Sequence, residues 1–483
     1  MNKRIILSLT LGLILIGQFI VTPSYSNKTY PTGAILDDVL YDSIPRKAVQ
    51  LSRSYTGLPK AHSLKEFAPI PKSQVGGTCV GWATAYAART ATESIAIGRR
   101  DMELSTQNAF SPLFVYKSVR SRHYNDPNPS GQHGIATAYA LDFLKNEGAV
   151  RMPRQELDLS FMQILLSLYS GLKRYPIADY VRLYESWRQL AKADETVRTK
   201  MVKKSISENK LVIISINSTP SLHFTGTVWN PTENPARRYN GHAVCVVGYD
   251  DDKHGGAFEI LNSWGTDWGN RGYVWIPYTV FDKFALEAYE MIENLSIYPD
   301  AANYSGFVEI ELYGSKEGMP IRFADGHYQT INSYPSGTVF RYLIGNEKRS
   351  FIYAFAGDSG SNDTTRIFPP EGQNISPIFD YSGKNMVAFP GEFTWIQLDE
   401  KVGTDYLVVL FAKEALDIDS IRQRFEKTSG SFSQRVAKAV GNNFISVKNA
   451  KYEANEIRFS AQSKNPKSVF GLLLAIDHKA RLE

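Results

Sequence analysis

Three side chains in this 483-residue sequence, Cys79, His242 and Asn262, have the types that acyl transfer at a thiol requires. His242 opens the run Gly241-His242-Ala243-Val244-Cys245-Val246-Val247-Gly248-Tyr249, and Asn262 closes the run 257–261 in Asn262-Ser263-Trp264-Gly265. Both runs are apolar and rich in β-branched or aromatic residues, and Asp250-Asp251-Asp252-Lys253-His254-Gly255-Gly256 between them supplies turn chemistry, so the stretch predicts a β-hairpin. Antiparallel arms return His242 and Asn262 to the same end of the sheet. An imidazole held in one tautomer by a side-chain carbonyl is an oriented general base, and it lacks only a nucleophile.

The sequence has two cysteines. Cys245 sits inside the hairpin, where strand alternation turns it away from His242 into an apolar run, so it is expected to be a buried, inert thiol. Cys79 follows Gly76-Gly77-Thr78 and precedes small, helix-tolerant residues through Glu93, which places it at a helix N-terminus. There the macrodipole and a neighbouring imidazolium favour the thiolate. A thiolate–imidazolium pair is therefore the expected resting form, with coupled titration limiting activity on both sides.

Gly77-Thr78-Cys79 with Trp82-Ala83, then Gly241-His242-Ala243-Val244 with Val247-Gly248-Tyr249, then Asn262-Ser263-Trp264-Gly265-Thr266-Asp267-Trp268-Gly269 with Gly272-Tyr273, together resemble the papain family of cysteine peptidases. The order Cys, His, Asn is that of the family, although Val80 stands where the family usually has Trp. The resemblance spans about residues 58–296. It implies an α+β, papain-like fold with Cys79 as nucleophile, His242 as base and Asn262 as its orienting partner. It also implies that Gln74 and the Cys79 N–H form the oxyanion hole. Gln74 stands five residues before Cys79, one fewer than the family spacing. Trp264 is expected to shield the His–Asn bond, and Trp268 to lie on the leaving-group side of the cleft. The family holds substrate backbone with adjacent glycines, for which this sequence offers only Gly131 and Gly134. No metal or other cofactor is implied, and the expected partner is a peptide or protein substrate.

These residues need two halves to position them. Small residues after Cys79, a Ser111-capped helix with Pro112 in its first turn, and helical residues 135–147 predict a helical half. Apolar residues at helical spacing, among them Phe161, Ile164, Leu165, Leu168, Tyr180, Leu183 and Trp187, extend that reading over 157–210 as core stripes. Residues 211–216 predict a buried strand that opens a β half carrying His242 and Asn262, and Ser215 falls near an expected pocket wall.

The N-terminus reads as Lys3-Arg4, an apolar run over 5–21 and small residues up to Ser26. It predicts a secretory signal over 1–26 cleaved after Ser26, hence a periplasmic or extracellular protein with no integral membrane span once the signal is removed. Residues 27–57 form an N-terminal extension, too short for the inhibitory prodomain of many relatives, so little zymogen control is expected. The peptidase domain is assigned to 58–298. Residues 299–483 alternate strand-like runs with Gly, Asn, Asp and Pro, with helices near 420–426 and 431–440. They predict a β-dominated C-terminal domain of unknown function, weakly resembling an uncharacterised domain appended to bacterial peptidases.

At 43% hydrophobic and 21% charged residues the composition is that of ordinary globular protein, and a net charge of +5 that falls with loss of the signal gives no reason to expect nucleic acid. Two cysteines exclude a disulfide framework. Two other readings stand beside the exported peptidase. One is a Cys-dependent acyltransferase of the Cys-His-Asp type, which Asn262 disfavours. The other is a catalytically silent papain-like scaffold in a surface-binding protein.

Overall fold

A computed structural model of the chain describes residues 29–48, 57–158, 160, 163–186, 195–294, 303–315, 317–380, 386–465 and 467–481. The expected signal over 1–26 lies outside these residues. Among the described residues no helix is long and apolar enough to cross a membrane.

The first half is built on an antiparallel sheet in the order Asp179–Arg182, Ala285–Ile292, Val212–Ser218, Asn240–Asp250, Ala257–Leu261 and Tyr273–Pro277, with Ala61–Ser63 paired onto Asn240–Asp250. The hairpin read from the sequence is present, with Cys245 opposite Leu261 and a bulge between Val246 and Gly248. Its turn needs positive φ at Gly255 (+77°) and Gly256 (+94°), a conformation that glycine adopts without a Cβ clash. Val212–Ser218 and Ala285–Ile292 are buried at every residue, so both sheet faces are covered here.

Helices cover the other side. Cys79–Gly81 runs without interruption into a π-helical stretch, Trp82–Arg89, and then Thr90–Ala96. A Cβ on Gly81 would stand 2.3 Å from the Pro112 carbonyl oxygen, so the glycine lets this helix cross Pro112–His123 closely. Ser111 caps the latter helix by accepting from the Phe114 N–H at 2.9 Å. A buried Arg89–Glu293 ion pair (2.7 Å) ties the Cys79 helix to the chain leaving Ala285–Ile292.

The helical stripe expected over 157–210 is corrected in part. Tyr180 lies in the edge strand Asp179–Arg182, opposite Met291. Tyr180 and Leu183 share helical spacing, but pairing with the buried strand Ala285–Ile292 decides the conformation, as tertiary context commonly overrides a short apolar period. Leu166–Tyr169 is a 3₁₀ turn, the helix of this region is Glu195–Ser207, and Phe161 and Trp187 lie outside the described residues.

Beyond residue 303 the chain is strand-rich, as expected. One sheet runs Met386–Phe389, Val339–Asn346, Asn303–Leu312, Ile457–Gln462, Ala450–Tyr452; the other runs Ile321–Ala324, His327–Thr330, Val469–Lys479, Gly403–Ala412, Ser350–Asp358, Thr364–Phe368. Strand Gly403–Ala412 shows how the layers form. Leu407, Val409 and Phe411 pack between the two sheets, while Val408, Leu410 and Ala412 point the other way, under helices Ile418–Glu426 and Phe432–Val440. That second layer also takes in Val181 and Ile292 of the first half, so the two halves share an apolar contact.

Candidate active site

His242 is held at the start of the hairpin, opposite Ile216. Its Nε2 lies 2.7 Å from Asn262 Oδ1, and the pair is buried. Asn262 Oδ1 also accepts from the Ser263 N–H at 2.7 Å, which fixes the carbonyl oxygen toward the ring. That contact assigns the proton of a neutral imidazole to Nε2, leaving Nδ1 as the basic nitrogen. Nδ1 has no hydrogen-bond partner among the described residues. Cys79 is the first residue of its helix, and its sulfur faces the backbone of Ala243, the residue after His242. Cys245 donates instead to the Ala83 carbonyl at 3.1 Å, inside the core.

Trp264 stacks on His242 with ring centroids 4.5 Å apart, covering the His–Asn contact. Trp268 meets Trp264 edge-on at 5.2 Å and donates its indole N–H to the Leu222 carbonyl. Like Trp264, it is buried. Gln74 is anchored through its Oε1, which accepts from Ser263 Oγ at 2.6 Å, and its backbone N–H donates to the Ser263 carbonyl at 2.7 Å. Those bonds leave Nε2 to donate to the carbonyls of Gly76 (2.7 Å) and Pro31 (3.1 Å).

Pro31 belongs to a strap over residues 30–36 that fills the cleft. Tyr30 stacks on Trp264 at 4.9 Å, and its N–H donates to His223 Nδ1 at 3.0 Å. The Pro31 carbonyl also accepts from the Trp264 indole at 2.9 Å. The Gly33 N–H donates to the Gly241 carbonyl, and the Gly33 carbonyl accepts from the Ile135 N–H. Ala34 and Ile35 then pair in parallel with Ile135 and Ala136. The backbone of Gly33 faces the Cys79 sulfur, and Cys79 has no exposed surface. The extension was expected to be too short to act as an inhibitory prodomain, yet its residues 30–36 cover Cys79. A folded prodomain is not needed, because seven extended residues span about 23 Å at roughly 3.3 Å each.

The same region carries the family signal. Residues 66–292 match the papain family cysteine protease model. This segment is a papain-family domain. Peptidase 1 of Psoroptes ovis is 33% identical over 214 residues, 44% of this chain and 57% of that protein. Cysteine proteinase 3 of Entamoeba histolytica is 41% identical over 71 residues, 14% of this chain and 23% of that protein. The chain thus spans between 23% and 57% of the length of these curated relatives. Among solved structures, xylellain, a cysteine protease from Xylella fastidiosa, superposes with a TM-score of 0.41 at 19% identity, covering 57% of this chain and 99% of that one. The bromelain protease from Ananas comosus in complex with the E64 inhibitor gives 0.36 at 17%, covering 49% and 100%.

Burial dominates the electrostatics of the papain-family domain's cleft. It pushes the Cys79 thiol up to about 11 and the His242 imidazole down to about 4, outweighing the backbone groups near the sulfur and the Asn262 contact. Both groups are neutral under the strap, so the ion pair expected from the sequence is not the form of the covered site. Desolvation is the reason, since it disfavours each charged form.

Two further clusters draw notice. Ser215 is buried against Thr137 Oγ1 (3.0 Å) and beside Glu287, whose carboxyl burial pushes up to about 7. Glu287 accepts from Tyr289 Oη at 3.0 Å and from the backbone of Asp37, just past the strap. Outside the papain-family domain, Ser336 Oγ lies 3.0 Å from His478 Nε2, and His478 Nδ1 lies 2.9 Å from Asp405 Oδ2. Ser336 is buried, its N–H donates to the Lys479 carbonyl, and the Gly337 N–H donates to that of Leu398. Both of those backbone donors are thus engaged, and the trio acts as a structural tie at the sheet edge. Sequence reasoning missed His223 and the strap. His223 stands alone in the short helix Pro220–His223 and carries no motif, and the strap contacts the cleft chiefly through backbone groups.

Proposed function

We propose that this chain is an exported cysteine peptidase whose catalytic unit is residues 58–298, followed by a C-terminal domain at 299–483, and that Cys79, His242 and Asn262 form its triad. The observation that carries the reading is the buried 2.7 Å contact between His242 Nε2 and Asn262 Oδ1, beside a helix that begins with Cys79. That contact leaves the other ring nitrogen, Nδ1, as the base that takes the thiol proton. With the strap withdrawn, water and the helix N-terminus favour the thiolate–imidazolium pair. The thiolate attacks the scissile carbonyl carbon, forming a C–S bond, and the oxyanion is held by Gln74 Nε2 and the Cys79 N–H. His242 then gives its proton to the leaving amine as the C–N bond breaks. A water, deprotonated by His242, attacks the thioester and releases the acid and the Cys79 thiol. The substrate is a peptide or protein.

The test is labelling of Cys79 by an epoxide of the type that inactivates papain-like enzymes, together with hydrolysis of a fluorogenic peptide by the strap-freed protein. Loss of both in Cys79→Ala is expected. Undiminished hydrolysis in that variant sinks the assignment. Export rests on the composition of residues 1–26, and a secreted product whose sequence begins at Asn27 supports it.

A further inference from the structure

The strap continues into a segment shared between the two halves. We propose that the C-terminal domain is the latch that keeps the strap in the cleft, an inference that rests on Cys79 being the reactive thiol beneath it. Past the short helix Asp38–Asp42, residues 45–47 lie between the two halves like an added strand. On one side the Lys47 N–H donates to the Arg182 carbonyl (2.9 Å) and the Arg182 N–H to that of Pro45 (3.1 Å). On the other, the Arg46 N–H donates to the Asn374 carbonyl and the Ser376 N–H to the Arg46 carbonyl, both at 2.8 Å. Asn374 Nδ2 adds bonds to the carbonyls of Ser43 (2.7 Å) and Asp42 (3.4 Å). Ala48 then enters the core between the two C-terminal sheets.

The consequence is mechanical. Residues 30–36 touch the cleft chiefly through backbone bonds and a few rings, each worth little against water. Their register is set by the fixed end at 42–48, which is clamped from both sides: the loop at 374–376 supplies the four bonds just named, and the first half holds it through Arg182, Ser186 and the buried Lys47–Glu290 pair (2.7 Å). Loosening that loop removes one side of this clamp and so lets the strap leave the cleft more often, while the hairpin and the Cys79 helix keep their packing. A disturbance of the C-terminal domain is thereby transmitted to the thiol.

The experiment measures carboxamidomethylation of Cys79 by iodoacetamide in the full chain, with Cys245 as an internal reporter of general unfolding. Asn374→Ala removes the side-chain bonds to Asp42 and Ser43 at an exposed position, and Gly33→Ala serves as the comparison that opens the strap directly. Asn374→Ala should raise the Cys79 rate roughly threefold to tenfold with Cys245 still unreactive, the range that the loss of about one hydrogen bond allows. A raised rate in Gly33→Ala with the parent rate in Asn374→Ala overturns the latch. So does labelling of both cysteines together in Asn374→Ala, which would mean general loosening. Labelling needs no turnover. A strap-freed Cys79 that alkylates quickly but hydrolyses no peptide would defeat the peptidase reading and leave the latch standing.

Discussion

The Gly33 carbonyl oxygen stands 1.7 Å from where a Cβ on Gly134 would be, and a Cβ on Gly33 would stand 2.2 Å from the Gly77 carbonyl oxygen. Strap and cleft therefore meet backbone to backbone, with no room for a side chain on either side. Neither contact has a flexible side-chain end that could move aside.

Gly33→Ala should therefore expel the strap and raise peptide hydrolysis, with a small change in melting temperature because few apolar side chains are displaced. Parallel assays of initial rate and thermal unfolding check this. A variant with the parent rate would show that the strap does not limit access.

Among the triad residues, Cys79→Ala should abolish hydrolysis while preserving the fold, since it removes one sulfur. Asn262→Ala should cost less, because His242 is misoriented but present. The corresponding loss in a Ser triad is roughly 10⁴-fold in kcat. Rates measured in a Gly33→Ala background, free of the strap, give the comparison, and a wild-type rate in Asn262→Ala would mean that another residue orients the imidazole.

Gln74→Ala should lower kcat by about 10²- to 10³-fold, the range for loss of one oxyanion donor, with KM changing little. Alkylation of Cys79 in the same background should continue, because Gln74 binds the developing oxyanion and not the thiol. A loss confined to KM would assign Gln74 to substrate binding instead.

The pH dependence of stability follows from Glu287. Burial raises its folded value to about 7, above the ordinary 4.5, so between those values the folded protein holds a proton that the unfolded chain releases. Its contribution is full below the ordinary value and is lost as pH rises through about 7. Glu156, raised to about 7 by burial as well, acts in the same direction. Buried His242, held down to about 4, acts the other way below its ordinary 6.5, so melting temperature should fall most clearly from about pH 6.5 to about pH 8, and Glu287→Gln should flatten part of that slope. A slope unchanged in this variant would show that Glu287 does not carry it.

The local parts of this site were legible in the sequence. His242 and Asn262 meet because a hairpin joins them, and Cys79 starts a helix because glycines precede it and alanines follow. The continuous apolar runs of the C-terminal half, such as 406–412 within Gly403–Ala412, were legible for the same reason. Short strands such as His327–Thr330 were not, since four residues carry too little pattern. The strap was illegible on other grounds. Its hold on the cleft runs through the Pro31 carbonyl and the Gly33 backbone, which leave no side-chain periodicity, and its partners lie far along the chain. The strand at Tyr180 was lost because its partner, Ala285–Ile292, lies about a hundred residues away.

Strap and cleft belong to one polypeptide, so their encounter is intramolecular. A tethered segment faces its site at an effective concentration that reaches the millimolar range for short flexible tethers, whatever the protein concentration. Dilution then cannot activate this protein, and the inactive fraction should be the same at nanomolar and micromolar enzyme. Cutting the chain after the strap would change the law it obeys. The released peptide would become an ordinary inhibitor, lost on dilution or dialysis, and activation would turn from an equilibrium into a commitment.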